Sequence, residues 1–217
     1  MEEKSEIMGK ENGVVVEIVV DNGHGKTCTK GSPDGTYLEW KWAREMARML
    51  VTELKRRGYE ASLLVPEDDD VPVNERARRV NGICRQKGAD KVLLVSIHSN
   101  ANSADGRWHD GEWSGFVAIV SPNASAKSKQ AADFIWARAI EAGLKGNRSF
   151  TDKPGKRFLV QNLGICRDSM CPAVLTESAF HDTREGVRLL QGAKQRIMLA
   201  HADGIEDYVN WLKLGGK

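Results

Sequence analysis

Asp21-Asn22-Gly23-His24-Gly25 directly follows the apolar run Val14 to Val20, and the rest of the chain is organised around this junction. A β-branched run that ends abruptly in Asp, Asn and two glycines predicts a buried strand that leads into a tight loop. In α/β proteins, functional groups collect at the carboxyl ends of the strands. The junction therefore predicts that the His24 imidazole lies at a functional edge of a sheet.

The same arrangement occurs a second time in the chain. Another apolar run, Val92 to Ile97, leads directly into His98. The carboxyl ends of parallel strands meet at one edge of a sheet, so His24 and His98 are expected to lie close together. Two imidazoles at two strand ends indicate a shared metal ion.

Strand and helix patterns alternate along most of the chain. The strand patterns cover residues 14–20, 61–65, 92–97, 115–120, 158–160, 163–167 and 172–180, and the helical patterns cover residues 37–57, 73–86, 125–143 and 194–212. This alternation predicts a single three-layer α/β domain with a mostly parallel sheet of about six strands and helices on both faces. Residues 1–12 are polar and carry no pattern, so a flexible tail is predicted before a catalytic domain at residues 13–213.

Glu39 lies on the buried stripe of the first predicted helix. Ala43, Met46, Ala47 and Leu50 have the spacing of a face packed on the sheet, and Glu39 lies one turn before Ala43. A carboxylate on that face costs several kcal/mol unless a cation or good hydrogen-bond donors meet it. The alternative is an acid stabilised by the helix dipole in the first turn. The buried position favours a metal ligand.

Two other helices carry polar residues whose positions follow from the same spacing. On the second predicted helix, Val73 and Ala77 are expected to face the core, and Arg76 is expected to face solvent. On the last helix, His201 lies on the apolar stripe. It is predicted to be a packing residue rather than a metal ligand.

Glu177 is the fourth candidate for the site. It lies near the end of the last predicted strand, Pro172 to Phe180, in an otherwise apolar stretch. Two imidazoles and one carboxylate are a recognised ligand set for catalytic zinc, with a fourth position left for water. A further carboxylate must take the proton of that water and pass it to a leaving nitrogen. Glu177 suits this role because apolar surroundings raise the pKa of a carboxyl group.

A polar loop at residues 99–113 follows His98 and contains further candidates for substrate binding. These candidates are Asn100, Trp108, His109 and Trp113. The tryptophans can stack on a sugar or a peptide, or they can pin the loop to the domain. The sequence alone leaves both interpretations open.

The composition gives no support to several classes of function. The 32 Lys and Arg residues against 30 Asp and Glu give a net charge of +2, so no strong field recruits nucleic acid or an anionic membrane. No apolar run approaches the roughly eighteen residues of a membrane helix, so no membrane insertion is expected. The first residues lack the apolar core of a secretory signal. The protein is expected to be cytoplasmic as synthesised, with a secreted protein whose signal has been removed as the alternative.

The spacing of the cysteines and of the glycines argues against two other classes of site. The cysteines at positions 28, 84, 166 and 171 form no C-x-x-C pair, which excludes a zinc ribbon and a thioredoxin-type motif. Gly25-Lys26-Thr27 imitates the end of a nucleotide-binding P-loop, but that motif needs a glycine at the position of Val20. No nucleotide site is therefore predicted.

Four stretches of the chain are similar, in this order, to the motifs of one enzyme family. They are DNGHG at residues 21–25, YLEW at 37–40, SIHSNA at 96–101 and PAVLTESAF at 172–180. They resemble the zinc-dependent N-acetylmuramoyl-L-alanine amidases of the amidase-3 group, and the resemblance covers about residues 14–210. It implies a mixed sheet flanked by helices. It also implies hydrolysis of the amide bond between the lactyl group of N-acetylmuramic acid and L-alanine in bacterial peptidoglycan.

By the same resemblance, His24, Glu39 and His98 hold one Zn²⁺ per chain, and Glu177 acts as general base and acid on a metal-activated water. The compact form resembles phage or prophage lysins, which implies action on the cell wall after release. Residues 144–162 are too few for the autoinhibitory helix of some relatives, so no obligate activator protein is expected.

One stretch departs from the family pattern. Many members continue after the final glutamate with a glycine-phenylalanine-x-x-asparagine type sequence, whereas Ser178-Ala179-Phe180-His181-Asp182 follows here. His181 is expected to orient Glu177, to hydrogen-bond the tetrahedral intermediate, or to start a helix and face water. Asp182 and Glu185 have the spacing of a helix capping box.

Two rival functions share these site residues. A zinc peptidase acting on peptidoglycan stem peptides would need a fixed cation for the terminal carboxylate of its substrate, and Arg167 is the candidate. A wall-binding module with a dead site would lack at least one of the four central residues, and all four are present. Amide hydrolysis by a zinc enzyme is therefore the favoured interpretation.

Overall fold

The computed structural model describes residues 16–112, 114–146 and 157–216. These residues form six strands, which are β1 Glu17–Asn22, β2 Ala61–Leu63, β3 Val92–Asn100, β4 Val117–Val120, β5 Leu159–Val160 and β6 Ala173–Phe180. They also form six α-helices, which are α1 Glu39–Arg56, α2 Val73–Lys87, α3 Ala126–Glu141, α4 Gly164–Arg167, α5 Arg184–Gly192 and α6 Lys194–Lys213. None of the helices in these ranges is long and apolar enough to cross a membrane. The predicted tail at residues 1–12 lies outside the described residues.

The strands form one mixed sheet in the order β2-β1-β3-β6-β4-β5. β4 and β6 are antiparallel, and the other four neighbouring pairs are parallel. Each parallel pair is connected through at least one helix, because a parallel connection must return the chain to the same end of the sheet. The predicted mostly parallel mixed sheet is confirmed. β1, β3 and β6 lie side by side at its centre.

Helices cover both faces of the sheet and bury an apolar cluster on each. On one face, α1, α3, α5 and α6 enclose side chains such as Leu50, Ile135 and Ile197, which have no exposed surface. On the other face, Val80 of α2 and Ile165 of α4 pack on the strands. Full burial of one such side chain contributes about 1.5–3 kcal/mol. The predicted three-layer domain is confirmed.

α2 differs from its predicted orientation at two residues. Val73 is 50% exposed, whereas Arg76, which was expected to face solvent, is 3% exposed. Val73 is the first residue of α2, one turn before the packed stripe that begins at Ala77. Arg76 is buried because its guanidinium forms an ion pair with the buried Asp21, with Nη1 and Oδ1 2.7 Å apart. An apolar and polar pattern alone does not reveal such a partner.

Residues 163–167 were predicted to be extended, and this prediction is wrong. They contain the short helix α4, whose first turn closes when the N–H groups of Cys166 and Arg167 donate to the Leu163 carbonyl. The apolar residues of this stretch resemble a strand because only one helical turn is present. Such a turn is too short to show helical periodicity.

The predicted capping box at the start of α5 is also wrong. Thr183 caps this helix, and its Oγ1 accepts a hydrogen bond from the N–H of Gly186 at 3.1 Å. Asp182 instead accepts hydrogen bonds from the backbone N–H groups of Asn102 and Ser103, at 2.5 and 3.1 Å. Asp182 therefore ties the loop after β3 to the end of β6.

Candidate metal centre

His24 lies two residues beyond β1 with a φ of 59°, in the left-handed region of backbone conformation. This conformation costs a residue other than glycine about 1–2 kcal/mol. The carbonyl oxygen of His24 accepts hydrogen bonds from Arg44 Nη1 at 2.7 Å and from Arg76 Nη2 at 2.9 Å. Both arginines are buried. They hold the backbone of His24 in an otherwise unfavourable conformation.

The glycines on either side of His24 are required by close packing. A Cβ atom on Gly23 would lie 2.3 Å from Cε1 of His98, and a Cβ atom on Gly25 would lie 2.1 Å from the Cα of Asp70. Neither position has room for a side chain. The predicted tight loop is therefore present, and it passes directly against the ring of His98.

The side chains of His24, Glu39 and His98 converge at the carboxyl edge of the sheet. Glu39, the first residue of α1, is 2% exposed, and its Oε2 lies 3.3 Å from His24 Nε2. Its Oε1 lies 3.0 Å from His98 Nδ1 and accepts the backbone N–H of Ser99 at 3.2 Å. One ligand atom from each of the three residues lies within 4.8 Å of the other two.

The negative charge of Glu39 in this group of three side chains favours the binding of a cation. Burial opposes the charge on Glu39, but hydrogen bonds to His24 and His98 hold the pKa of its carboxyl well below the usual range. Burial also opposes a charge on His98, but the hydrogen bond with Glu39 raises the pKa of that imidazole. Glu39 is therefore ionised. One carboxylate and two imidazoles can together hold one divalent transition-metal ion.

A chain of hydrogen bonds behind His98 orients its ring. Nε2 of His98 lies 3.1 Å from Ser96 Oγ, and Ser96 donates its own hydrogen to Asp21 Oδ2 at 2.5 Å. Asp21 Oδ1 accepts from Arg76 Nη1. Because Ser96 gives its hydrogen to Asp21, Nε2 of His98 donates to Ser96 Oγ, and Nδ1, which donates to Glu39 in this structure, is the nitrogen that would bind a metal ion after losing its proton. Metal-binding histidines commonly donate their second N–H in this way.

Glu177 lies in β6 opposite His98 of β3 in the parallel register. Its Oε2 is buried and has no hydrogen-bond partner in the part of the chain that the structure describes. Burial raises the pKa of this carboxyl to about 8, and the charge of His98 opposes the rise. A carboxyl group that titrates near neutral pH can take up a proton and return it.

A family model described as N-acetylmuramoyl-L-alanine amidase, Amidase_3, matches residues 18–207, and this range includes all four of these residues. The chain belongs to the Amidase_3 family. It is therefore an N-acetylmuramoyl-L-alanine amidase, as its motifs implied.

Individual relatives and one solved structure agree with this family. The sporulation-specific N-acetylmuramoyl-L-alanine amidase of Bacillus subtilis strain 168 is 29% identical over 203 residues, which cover 92% of this chain and 70% of the relative. The endolysin of Bacillus phage SPP1 is 26% identical over 204 residues, which cover 91% of this chain and 67% of the endolysin. An N-acetylmuramoyl-L-alanine amidase from Clostridium difficile 630 shares the fold, with a TM-score of 0.75 at 19% identity over 90% of this chain and 97% of that one.

The amidase has a cleft of about 590 Å³ at this edge of the sheet. The residues that line it include His24, Glu39, His98, Glu177, Asn100 and His181, together with the cations Lys30 and Arg107. One alternative for His181 was a residue that faces water, but the structure buries it, with 5% exposed. Its Nδ1 lies 2.9 Å from Ser99 Oγ, and burial lowers the pKa of its imidazole.

The other predicted substrate-binding residues of the amidase lie outside this lining or outside the described residues. Trp108 packs against the core, with the Arg184 guanidinium 4.8 Å from its ring centre. His109 hydrogen-bonds to neighbouring carboxylates of its own loop. The contacts of Trp108 pin the loop to the domain. Arg167 pairs with Asp168 away from the cleft. Trp113 lies outside the described residues, and the substrate roles of all these residues stay predictions.

The sequence analysis missed the buried arginines that support the amidase site. Arg76 lies beside Ala77 on the stripe of α2, and Arg44 lies beside Ala43 on the stripe of α1. Helical spacing places both arginines beside a buried stripe, but it does not reveal their partners, which are the carbonyl of His24 and the carboxylate of Asp21.

Proposed function

We propose that this amidase holds one Zn²⁺ per chain with His24, Glu39 and His98, and that it hydrolyses the amide bond between the lactyl group of N-acetylmuramic acid and L-alanine in peptidoglycan. The observation that carries the proposal is the convergence of these three side chains, with ligand atoms within 4.8 Å of one another. Two imidazoles and one carboxylate match the donor set of catalytic zinc sites. The hydrogen bond from His98 to Ser96 supports the same assignment.

Glu177 is the general base and acid of the proposed reaction. A bound zinc ion supplies positive charge that acidifies water and polarises a carbonyl group. Glu177 takes a proton from the attacking water as the new C–O bond forms at the lactyl carbonyl carbon. It gives this proton to the L-alanine nitrogen as the C–N bond breaks. The products are a free lactyl carboxylate on the glycan and a stem peptide with a free amino terminus.

A lysin-like mode of action completes the proposal. The relatives include a phage endolysin and a sporulation-specific amidase, and both match over most of this chain. The protein acts on the cell wall after release and needs no activator protein. Full activity of the pure protein on isolated sacculi supports this mode, and an absolute requirement for an added protein would reject it.

Digestion of purified peptidoglycan tests which bond is cleaved. An amidase frees intact stem peptides that begin with L-alanine, whereas a zinc peptidase shortens stems that stay attached to muramic acid. Mass spectrometry of the digest separates these products. Intact free stems support the proposal, and shortened attached stems would favour the peptidase. Binding to the wall without release of either product would favour a wall-binding module.

A further inference from the structure

We propose that His181 is a catalytic hydrogen-bond donor, held as the neutral tautomer with its proton on Nε2, and that it donates to the oxygen of the scissile amide. The inference rests on the proposed function, because it concerns the same substrate in the same cleft. His181 lines that cleft together with Glu39 and Glu177. No hydrogen bond joins its Nε2 to another residue of the described ranges, so this nitrogen is available to a ligand.

A buried hydroxyl chain decides which nitrogen of His181 carries the proton. The phenol of Tyr37 donates to Ser99 Oγ at 2.7 Å, and Ser99 Oγ lies 2.9 Å from His181 Nδ1. Ser99 Oγ receives the hydrogen of Tyr37, and within the described residues His181 Nδ1 is the one acceptor in reach of its own hydrogen, which is therefore directed at Nδ1. A nitrogen that accepts a hydrogen bond has no proton, and a neutral imidazole then carries its proton on the other nitrogen.

Both ends of this hydrogen-bond chain are in the required protonation state. A phenol has an ordinary pKa of about 10, so Tyr37 is protonated at neutral pH and remains a donor. Burial lowers the pKa of His181, although Glu39 and Asp182 act in the opposite direction, so the ring remains neutral and Nδ1 remains an acceptor. Hydrogen-bond donation therefore runs from Tyr37 to Ser99 and from Ser99 to Nδ1 of His181.

The ring of His181 is held in place from several sides. It stacks on Tyr37, with ring centres 5.9 Å apart and planes 22° apart. Its backbone N–H donates to the Asn100 carbonyl at 2.7 Å. Ser99, which contacts Nδ1, also donates its backbone N–H to Oε1 of Glu39. One residue of β3 therefore ties His181 to the proposed metal ligands.

A fixed neutral donor suits the charge that develops during amide hydrolysis. The amide oxygen gains negative charge when water adds to the carbonyl carbon, and an N–H group already aimed at that position stabilises it without reorganisation. Loss of one donor of this kind typically lowers kcat by about 10²–10³-fold. His181 transfers no proton in this role, and Glu177 remains the general base and acid.

Nitrogen NMR of ¹⁵N-histidine-labelled protein tests the tautomer directly. His181 is expected to be neutral with its proton on Nε2. His201 provides an internal reference with the opposite tautomer, because its Nδ1 donates to the Ile197 carbonyl at 2.8 Å. Ser99→Ala removes the directing hydroxyl and is expected to let the Nδ1-protonated form of His181 appear. A wild-type His181 that is charged, or protonated on Nδ1, would overturn the inference.

Kinetics on a soluble muropeptide test the catalytic role. His181→Phe keeps an aromatic ring on Tyr37 but has no donor, and it is expected to lower kcat by about 10²-fold with little change in KM and in bound zinc. Bound zinc with kcat close to the wild-type value, or a change in KM alone, would overturn the role. If His181→Phe loses zinc or does not fold, the tautomer of His181 in the wild type still tests the inference. Absence of amide cleavage by the wild type would reject the proposed function and leave the tautomer result intact.

Discussion

The carbonyl oxygen of His24 is held by two guanidinium groups from different helices. Arg44 belongs to α1 and Arg76 to α2, and each also donates to other backbone carbonyls nearby. Hydrogen bonds from charged donors contribute about 1.5–3 kcal/mol each, and the left-handed conformation of His24 costs about 1–2 kcal/mol. The two anchors therefore outweigh the backbone strain at this residue.

Arg76→Met is expected to weaken zinc binding by about 10–100-fold. The substitution frees the His24 carbonyl from one of its two anchors and leaves the buried Asp21 with Ser96 alone. Breaking a buried ion pair in this way destabilises a protein by about 3–5 kcal/mol. Chelator competition measures the zinc affinity, and urea denaturation measures the free energy of unfolding.

Arg78→Met is the matched control on the same helix. The Arg78 side chain is 71% exposed and pairs only with Glu75 within the described part of the chain. Its removal is expected to leave the zinc affinity unchanged and to alter the free energy of unfolding by no more than about 0.5 kcal/mol. Equal zinc affinities of Arg76→Met and the wild type would contradict the role given to Arg76.

At the level of elements, the order of the strands assembles the site. β1, β3 and β6 are adjacent and parallel, so the loop after β1 and the ends of β3 and β6 meet at one edge of the sheet. The N-terminus of α1 adds Glu39 in front of them. Parallel strands that end together bring side chains into contact although they are far apart in the sequence.

Gly23→Ala is expected to weaken zinc binding by pushing one proposed ligand out of place. The new Cβ would lie 2.3 Å from the His98 ring, so the ring must leave its present position. Gly82→Ala in α2 is the control, because nothing lies within 4 Å of its new Cβ and alanine favours a helix. Zinc affinity and thermal unfolding measure both variants. A Gly23→Ala protein that binds zinc as the wild type does would contradict the packing argument.

The proposed site ligands could be singled out from the sequence because their signals are local. A β-branched run that ends in glycine and polar residues marks the strand ends before His24 and His98, and helical spacing places Glu39 on a buried stripe. The adjacency of β1, β3 and β6 is a long-range property that no single segment encodes. Arg76 was predicted to face solvent because it is charged and because its ion-pair partner, Asp21, lies on another element. The cap of α5 was missed because Asp182 bonds to a distant loop.

Across the whole domain, a second buried histidine lies away from the site. His201 of α6 has no exposed surface, and its two nitrogens contact the Ile197 carbonyl and the Thr176 hydroxyl. The prediction that it is a packing residue is confirmed. Burial lowers the pKa of this imidazole to about 4.

His201 is expected to make the free energy of unfolding decrease as the pH falls from about 6.5 to about 4. The unfolded chain binds a proton near the ordinary pKa of 6.5, while the folded chain binds none until about pH 4. The unfolded state thus holds more protons in this window, so stability rises with pH. At pH 5 the loss relative to pH 7 is about 2 kcal/mol.

Urea denaturation at pH 7 and pH 5 measures this effect when the wild type is compared with His201→Gln. Glu177, whose pKa is raised to about 8 by burial, acts with the opposite sign, because its folded form keeps a proton that the unfolded chain loses above pH 4.5. Glu177 is present in both proteins, so the difference between their pH dependences reports the contribution of His201 alone. An equal pH dependence of the two proteins would contradict the assignment.

The four central residues come from the β1 loop, α1, β3 and β6, so the complete domain must fold before the proposed metal ligands meet. Zinc stoichiometry, measured together with amide cleavage, tests this account most directly. The wild type is expected to hold one zinc ion per chain, and His98→Ala is expected to hold none and to be inactive. Glu177→Gln is expected to keep one zinc ion while kcat falls by about 10²–10⁴-fold. Zinc retained in His98→Ala, or lost in Glu177→Gln, would contradict the account.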